Sequence, residues 1–193
     1  MIRILIVDDH PAMRAGLTAV LRGEPGFVAL DAATSAADLW PALNRTRPDV
    51  VVLDYHLPGD DGLVLCRRIK RQIPAPAVLL YSAYADASLT IPARLAGADG
   101  LINKSAPAHE LYDAIRRVAR GERVQPPLSR QLLDRAGSEL QAEDLPILGM
   151  ALEDTPIGEM AAVLGVEPAV VSRRLDRMIS QLKVDVPAPG ASG

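Results

Sequence analysis

The stretch Val50-Val51-Val52-Leu53-Asp54-Tyr55-His56-Leu57-Pro58 decides the fold of this chain. Four apolar residues in succession end on an acid, and Pro58 and Gly59 follow at once. A continuous apolar run of this length is typical of a strand that is buried on both faces of a parallel sheet. Asp54 is then predicted at the carboxyl end of that strand, which is where open α/β sheets place their chemistry.

Strand and helix patterns alternate five times around this stretch. The predicted strands are residues 2–7, 27–30, 49–53, 77–81 and 98–102, and the predicted helices are 11–22, 35–45, 62–72, 86–96 and 107–120. Such alternation predicts a doubly wound α/β fold, in which helices wrap both faces of a five-stranded parallel sheet. Two of these helices contain a proline, Pro41 and Pro92, and we expect each proline to kink or shorten its helix.

The strand pattern stops at residue 121. Residues 121–137 contain Pro126 and Pro127 and are predicted to form a linker with a short helical piece at 130–135. Beyond the linker only helical periods remain, at 140–152, 157–164 and 168–183, which predicts a small all-α domain over residues 138–184. Residues 185–193 are rich in proline and glycine and are expected to be disordered.

The composition of the 193 residues is that of a soluble globular protein, with 49% hydrophobic and 23% charged residues. A formal net charge of −3 excludes a protein that binds nucleic acid through an overall basic charge. Cys66 is the single cysteine, which excludes an internal disulfide and suits a reducing compartment. We find no apolar run of membrane-spanning length and no signal-peptide pattern, so we expect a cytoplasmic protein without a membrane partner.

Polar side chains stand at the ends of the first, third, fourth and fifth strands. They are Asp8 and Asp9, Asp54, Ser82 and Lys104. Because the carboxyl ends of parallel strands point the same way, these groups are expected to converge. Three carboxylates in one pocket repel one another unless a cation joins them, and Mg²⁺ prefers carboxylates and water. A lone acid at a strand end is usually a helix cap or a solvated loop residue, but this combination favours a site for a phosphoryl group.

Residues 1–120 resemble the receiver domain of a bacterial two-component response regulator, a flavodoxin-like fold. The opening Ile-Leu-Ile-Val-Asp-Asp-His-Pro is especially similar to the NarL/FixJ class. The resemblance implies that Asp54 accepts a phosphoryl group from a phosphohistidine of a sensor histidine kinase. It also implies that the protein is not an enzyme beyond its own phosphorylation and the hydrolysis of the acyl phosphate.

The resemblance also assigns roles around Asp54. Asp9, Asp54 and the main-chain carbonyl of His56 would ligate Mg²⁺ directly, and Asp8 would act through water. Lys104 would pair with the phosphoryl oxygens, and Ser82 would move to hydrogen-bond one of them.

Other residues near this site either depart from the family pattern or occupy positions that affect the acyl phosphate in the family. The family usually carries an aromatic switch residue three positions before the lysine, and this chain has Leu101 there. Tyr84 and His56 occupy positions that tune hydrolysis of the acyl phosphate in the family. The alternative for Tyr84 is an ordinary surface ring without a role in the site. We interpret His10 and His109 as ordinary helix-start and surface histidines without metal-ligand companions.

The run from Ile157 to Leu175 is similar to a LuxR-type helix-turn-helix, in which Gly165 supplies a left-handed turn. The residues predicted to face outward from the last helix, and to contact DNA bases or phosphates, are Ser172, Arg173, Arg174, Arg177 and Gln181. A plain helical hairpin is the alternative interpretation, because a glycine turn between amphipathic helices is common.

The charge of the carboxyl-terminal domain leaves two functions open. Residues 138–193 contain nine acidic and four basic residues, a net charge of −5, but all four bases lie in one helix. The first function is transcription control through DNA, switched when phosphorylation releases this domain or pairs two receivers into a homodimer. The second is a receiver whose acidic helices bind a protein, with little or no DNA binding. An aspartate-nucleophile phosphatase is disfavoured, because His56 stands where those enzymes carry a second acid.

Overall fold

The computed structural model describes residues 1–30, 32–83, 85 and 87–183, and the structural statements below concern these residues. The strands are β1 (Ile2–Val7), β2 (Phe27–Ala29), β3 (Val50–Asp54), β4 (His56–Leu57), β5 (Asp60–Asp61), β6 (Ala77–Ser82) and β7 (Gly100–Asn103). Five of them form one parallel sheet in the order β2-β1-β3-β6-β7, and β4 and β5 form a separate antiparallel hairpin. The predicted five-stranded parallel sheet is therefore confirmed.

Helices follow the strands and continue alone after the sheet is complete. The first five are α1 (Pro11–Arg22), α2 (Ala36–Thr46), α3 (Gly62–Lys70), α4 (Ala87–Leu95) and α5 (Ala108–Ala119). The later ones are α6 (Arg130–Glu139), a 3₁₀ turn (Ala142–Asp144), α7 (Leu145–Leu152), α8 (Ile157–Leu164) and α9 (Pro168–Leu182). No helix in the described part of the chain is both long and apolar enough to cross a membrane.

Alternate residues of the central strands enter two different hydrophobic clusters. One cluster joins Val51 and Leu53 of β3 to residues of α2, α3 and α4, and the other joins Val50 and Val52 to residues of α1 and α5. The sheet is therefore doubly wound, with both faces covered. Because β3 is buried on both faces, packing at the centre of the core fixes the position of the strand end that carries Asp54.

Helix α4 is buried on both of its faces. One face packs on the receiver, and the other contacts α6, α7 and α9. The hydrophobic cluster that contains Leu89 and Ile91 of α4 also includes Val171 and Leu175 of α9, so one apolar core runs through both parts of the chain. The sequence of α4, Ala-Ser-Leu-Thr-Ile-Pro-Ala-Arg-Leu, is apolar almost all round, as expected for a helix surrounded by protein.

Two proline positions and two helix boundaries differ from the sequence prediction. Pro41 and Pro92 lie inside the uninterrupted helices α2 and α4, because each removes only one backbone donor from a helix that tertiary packing holds. The helix predicted at 140–152 starts only at Leu145, because Pro146 occupies its first turn, where proline is favoured. The helical piece predicted at 130–135 extends to Glu139 as α6, past the predicted end of the linker.

The carboxyl-terminal helices form the predicted helix-turn-helix shape. Helix α8 ends at Leu164, and Gly165 follows with φ of 65°, the left-handed conformation that glycine adopts without strain. Helix α9 then begins at Pro168, with Val171, Leu175, Met178 and Leu182 buried. The predicted disordered tail, residues 185–193, lies outside the described residues.

Candidate functional site

The carboxyl ends of four strands bring two acids, a lysine and a serine into one pocket. Asp8, Asp54 and Ser82 are 1%, 4% and 1% exposed, respectively. The ammonium Nζ of Lys104 donates to Oδ2 of Asp8 at 2.8 Å and to Oδ2 of Asp54 at 2.6 Å. The main-chain N–H of Lys104 also donates to the carbonyl of Ser82 at 2.9 Å. One lysine thus neutralises part of the charge of two buried carboxylates that lie 46 positions apart in the sequence.

The chain around Asp54 is shaped by a close backbone contact. The N–H of Gly62 donates to the carbonyl of Tyr55 at 3.0 Å, and a Cβ atom at position 62 would lie 2.6 Å from the carbonyl oxygen of Asp54. Only glycine fits there. The carboxylate of Asp61 caps α3 by accepting from the N–H of Leu63 at 2.8 Å. The start of α3 therefore packs directly against the end of β3 that carries Asp54.

Burial and charge act in opposite directions on the pocket. Burial raises the pKa of Asp54, although its hydrogen bond to Lys104 works against the shift. Burial lowers the pKa of Lys104, but its bonds to Asp54 and Asp8 outweigh this and leave that pKa above its usual value. The ammonium is consequently charged at neutral pH. It lies beside a carboxylate that can attack an electrophile carrying negative oxygens.

Of the remaining residues predicted for this site, His56 lies next to Asp54. The N–H of His56 donates to Oδ1 of Asp54 at 3.2 Å, and the His56 ring packs edge-on against Tyr55. Leu101 is buried in β7, and its N–H donates to the carbonyl of Val124 at 2.8 Å. Tyr84 lies outside the described residues.

The acids and one histidine form a group that fits a divalent metal ion. One potential ligand atom from each of Asp8, Asp9, His10 and Asp54 lies within 4.8 Å of all the others. Oδ1 of Asp9 is buried and accepts no hydrogen bond from any residue that the structure describes. An unsatisfied buried carboxylate oxygen among other carboxylates is the donor chemistry that Mg²⁺ requires. The residues present therefore fit the predicted ion.

The interpretation of His10 as a histidine without metal-ligand companions was wrong. Its Nδ1 lies 2.8 Å from Oδ1 of Asp9 and 3.4 Å from Oδ1 of Asp8. The sequence signal was the direct adjacency of Asp8, Asp9 and His10 after a buried strand. His109 lies exposed on α5, as predicted.

The polar residues predicted to face outward from α9 divide into two groups. Arg173 and Gln181 are exposed. The other three bind within the chain. Nε of Arg174 and Nη2 of Arg177 donate to the carboxylate of Asp144 at 2.7 and 2.8 Å.

The Ser172 hydroxyl instead accepts a hydrogen bond from Nη2 of Arg71 in the receiver at 2.6 Å. The same side of α9 carries Asp176, whose carboxylate accepts from Nε of Arg67 at 3.0 Å and from Nη2 of Arg71 at 2.8 Å. Lys183 lies 3.6 Å from the carboxylate of Asp61. In this structure the candidate DNA-facing helix is therefore attached to α3 by charged contacts.

The sequence of this chain matches a known protein family and several known proteins. Residues 4–116 match the family described as the response regulator receiver domain. The chain is 33% identical over 158 residues to the DNA-binding transcriptional activator DevR/DosR of Mycobacterium tuberculosis, covering 81% of this chain and 68% of that one. It is 30% identical over 192 residues to the transcriptional activator protein ExaE of Pseudomonas putida, covering 94% and 90%.

A solved structure shares the fold. It is a two-component response regulator of the LuxR family from Aurantimonas sp. SI85-9A1, with a TM-score of 0.62 and 32% identity. The similarity covers 66% of this chain and 91% of that one.

Proposed function

Because the chain belongs to the response regulators of the NarL/LuxR family, we propose that a sensor histidine kinase phosphorylates it on Asp54. The observation that carries the proposal is the ammonium of Lys104, bonded to both Asp8 and Asp54 in a buried pocket. A cation held there before the reaction stabilises the negative oxygens of an arriving phosphoryl group without having to reorganise.

In the proposed reaction a carboxylate oxygen of Asp54 forms a bond to phosphorus while the bond from phosphorus to the kinase histidine nitrogen breaks. Lys104 then turns toward the phosphoryl oxygens, and the hydroxyl of Ser82 donates to one of them. Asp9, Asp54 and the carbonyl of His56 would hold Mg²⁺, with Asp8 acting through water, and the ion supplies positive charge to the phosphoryl oxygens.

Incubation with acetyl phosphate and Mg²⁺ tests this proposal without knowledge of the kinase. We expect the intact mass of the protein to rise by one phosphoryl group, and we expect no rise in Asp54→Ala. Asp134→Ala serves as the matched control, because Asp134 is an exposed aspartate on α6 and its loss leaves the pocket unchanged. A rise that persists in Asp54→Ala, or no rise in the wild-type protein, would overturn the assignment.

We further propose that the protein controls transcription through α8 and α9. Support comes from the relatives at 30% and 33% identity, which are named as transcriptional activators, and from the helix-turn-helix shape of the two helices. The contacts of Ser172 and Asp176 with α3 hold α9 against the receiver. Phosphorylation of Asp54 would weaken this docking and release α9 for the major groove.

A homodimer also remains a proposal. The outer face of α4 is covered by α6, α7 and α9 in this structure. Pairing of two receivers through that face therefore requires the carboxyl-terminal helices to move first, which would couple dimer formation to the release of α9.

Arg173→Ala is expected to weaken DNA binding by the phosphorylated protein about 10-fold and to reduce the salt slope by about one ion. Arg173 is exposed and makes no ion pair within the described residues, so its side chain is available to a DNA phosphate. Fluorescence anisotropy with a duplex selected by this protein from a random library, measured at several salt concentrations, provides the affinity. Arg130→Ala, which removes an exposed arginine of α6, is the control, and an equal loss in both variants would contradict the assignment.

The second candidate function is a receiver whose helical domain binds a protein rather than DNA. It is favoured by the net charge of −5 over residues 138–193 and by the internal pairing of Arg174 and Arg177 with Asp144. If the phosphorylated protein selects no duplex from the library even at low salt, this function is the better account.

A further inference from the structure

We propose that His10 is an additional metal ligand, so that the Asp54 pocket binds borderline transition ions such as Co²⁺ and Zn²⁺ more tightly than its carboxylates alone would. The inference rests on the proposed function, since it concerns the pocket that holds the metal for phosphorylation. It goes further in assigning a nitrogen donor and therefore a preference among ions.

The geometry of the group is close to that of a metal shell. Two ligands bound to one ion at about 2.0–2.2 Å can be at most about 4.4 Å apart. The candidate atoms of Asp8, Asp9, His10 and Asp54 lie within 4.8 Å of one another, so shifts of a few tenths of an ångström would let Asp9, His10 and Asp54 share one ion, with Asp8 near enough to act through water. Lys104 is bonded to the Oδ2 atoms of Asp8 and Asp54, whereas their Oδ1 atoms each accept a main-chain N–H and keep a lone pair for the ion or for its bound water.

The backbone places the imidazole at the mouth of this group. His10 is the residue before α1, in an extended conformation, and Pro11 starts the helix. Its own N–H donates to Oδ1 of Asp8 at 2.8 Å, which ties its backbone to the acids. The side chain is 53% exposed, so an ion can reach it from solvent.

The contact between His10 and Asp9 points to a shared ion. Nδ1 of His10 lies 2.8 Å from Oδ1 of Asp9, and this buried oxygen accepts no hydrogen bond from any described residue. A cation that accepts a lone pair from each of them satisfies both.

The donor set determines the class of ion. Carboxylates and water alone suit Mg²⁺ and Mn²⁺, whereas an added imidazole favours ions such as Co²⁺ and Zn²⁺. A neutral imidazole supplies its nitrogen lone pair, as in most histidine metal sites. We therefore expect His10 to matter little for Mg²⁺ and considerably for transition ions.

Isothermal titration of the full chain with Co²⁺, Zn²⁺ and Mg²⁺ tests the proposal. In His10→Asn we expect the affinities for Co²⁺ and Zn²⁺ to fall by at least about 10-fold, since even the loss of an outer partner costs about that much. The affinity for Mg²⁺ is expected to change by less than about 3-fold, within the scatter of a surface change. His109→Asn is the matched control, because it removes an exposed histidine of α5 that is no part of the pocket.

Pulsed electron paramagnetic resonance of the Mn²⁺-loaded protein provides a second measurement. We expect a nitrogen coupling in the wild-type protein that disappears in His10→Asn. A coupling that persists there and disappears in His56→Asn would overturn the assignment, as would equal losses of Co²⁺ and Mg²⁺ affinity or no loss of either. If the protein is phosphorylated normally with Mg²⁺ but its Co²⁺ affinity is unchanged in His10→Asn, this inference is rejected and the proposed function still stands.

Discussion

Lys104→Ala is expected to slow phosphorylation of Asp54 by acetyl phosphate on the order of 10²- to 10³-fold, as removal of one preorganised donor does in other sites. The ammonium is the cation that the protein itself supplies to the pocket, bonded to Asp54 at 2.6 Å. The rate of mass gain in the presence of saturating Mg²⁺ measures the effect. A rate within about 3-fold of wild type would contradict the role given to this lysine.

Lys70→Ala is the matched control for that experiment. The Lys70 ammonium also binds a carboxylate, that of Asp99 at 2.8 Å, but at the amino-terminal edge of the sheet, away from Asp54. Its loss removes a comparable ion pair without touching the pocket. The control should be phosphorylated at nearly the wild-type rate.

The same substitution should also change how stability depends on pH. Burial already raises the pKa of Asp54 above 3.8, and loss of Lys104 removes the larger of the two groups that oppose the shift, the other being the main-chain N–H of His56. A carboxyl whose pKa is higher in the folded than in the unfolded state binds its proton more tightly when folded. Relative to wild type, Lys104→Ala should therefore gain free energy of unfolding as pH falls from neutral toward 3.8, and urea unfolding at several pH values measures this.

Replacing Arg174 and Arg177 together by alanine is expected to lower the free energy of unfolding by about 1–3 kcal/mol. Their partner Asp144 is 0% exposed and accepts from both arginines, so the double variant removes both cations and opens the carboxylate to water, which limits the loss. Either single variant should lose less, because the other arginine remains. Urea unfolding followed by circular dichroism measures the loss, and a value below about 1 kcal/mol would contradict the pairing.

Two further variants separate the buried charge from the loss of arginine side chains. Arg130→Ala with Arg173→Ala removes two exposed arginines and should change stability by less than about 1 kcal/mol. Adding Asp144→Asn to the first pair removes the buried charge and should recover part of the lost stability. Burial raises the pKa of Asp144, but the two arginines outweigh burial and leave that pKa below 3.8. In the wild-type protein the stability that this pairing contributes is therefore present above pH 3.8 and is lost as pH falls below it.

Much of the receiver could be predicted from the sequence because the patterns that indicate its strands and helices are local. The apolar run before Asp54 fixes a strand buried on both faces, and the alternation of strands and helices fixes a parallel sheet. The direction of parallel strands then brings Asp8, Asp54, Ser82 and Lys104 to one edge. What this reasoning does not give is that one ammonium bridges two carboxylates, since that depends on side-chain rotamers.

The contacts of α9 could not be predicted in the same way. Arg71 and Asp176 are separated by 105 positions, and their pairing depends on how the carboxyl-terminal helices pack against α3. A helical period separates inward from outward positions but does not say whether the outward side meets water, DNA or another helix. Asp144 illustrates the same limit, because it lies in a short 3₁₀ turn that carries no periodic signal.

The double burial of α4 constrains how this protein can be rearranged in evolution. Its outer face is fitted to α6, α7 and α9, so a receiver joined to the output helices of another regulator would expose aliphatic side chains or meet them with the wrong shape. Recombination between paralogues at the linker should therefore produce poorly soluble hybrids, unless α4 and its covering helices are inherited together.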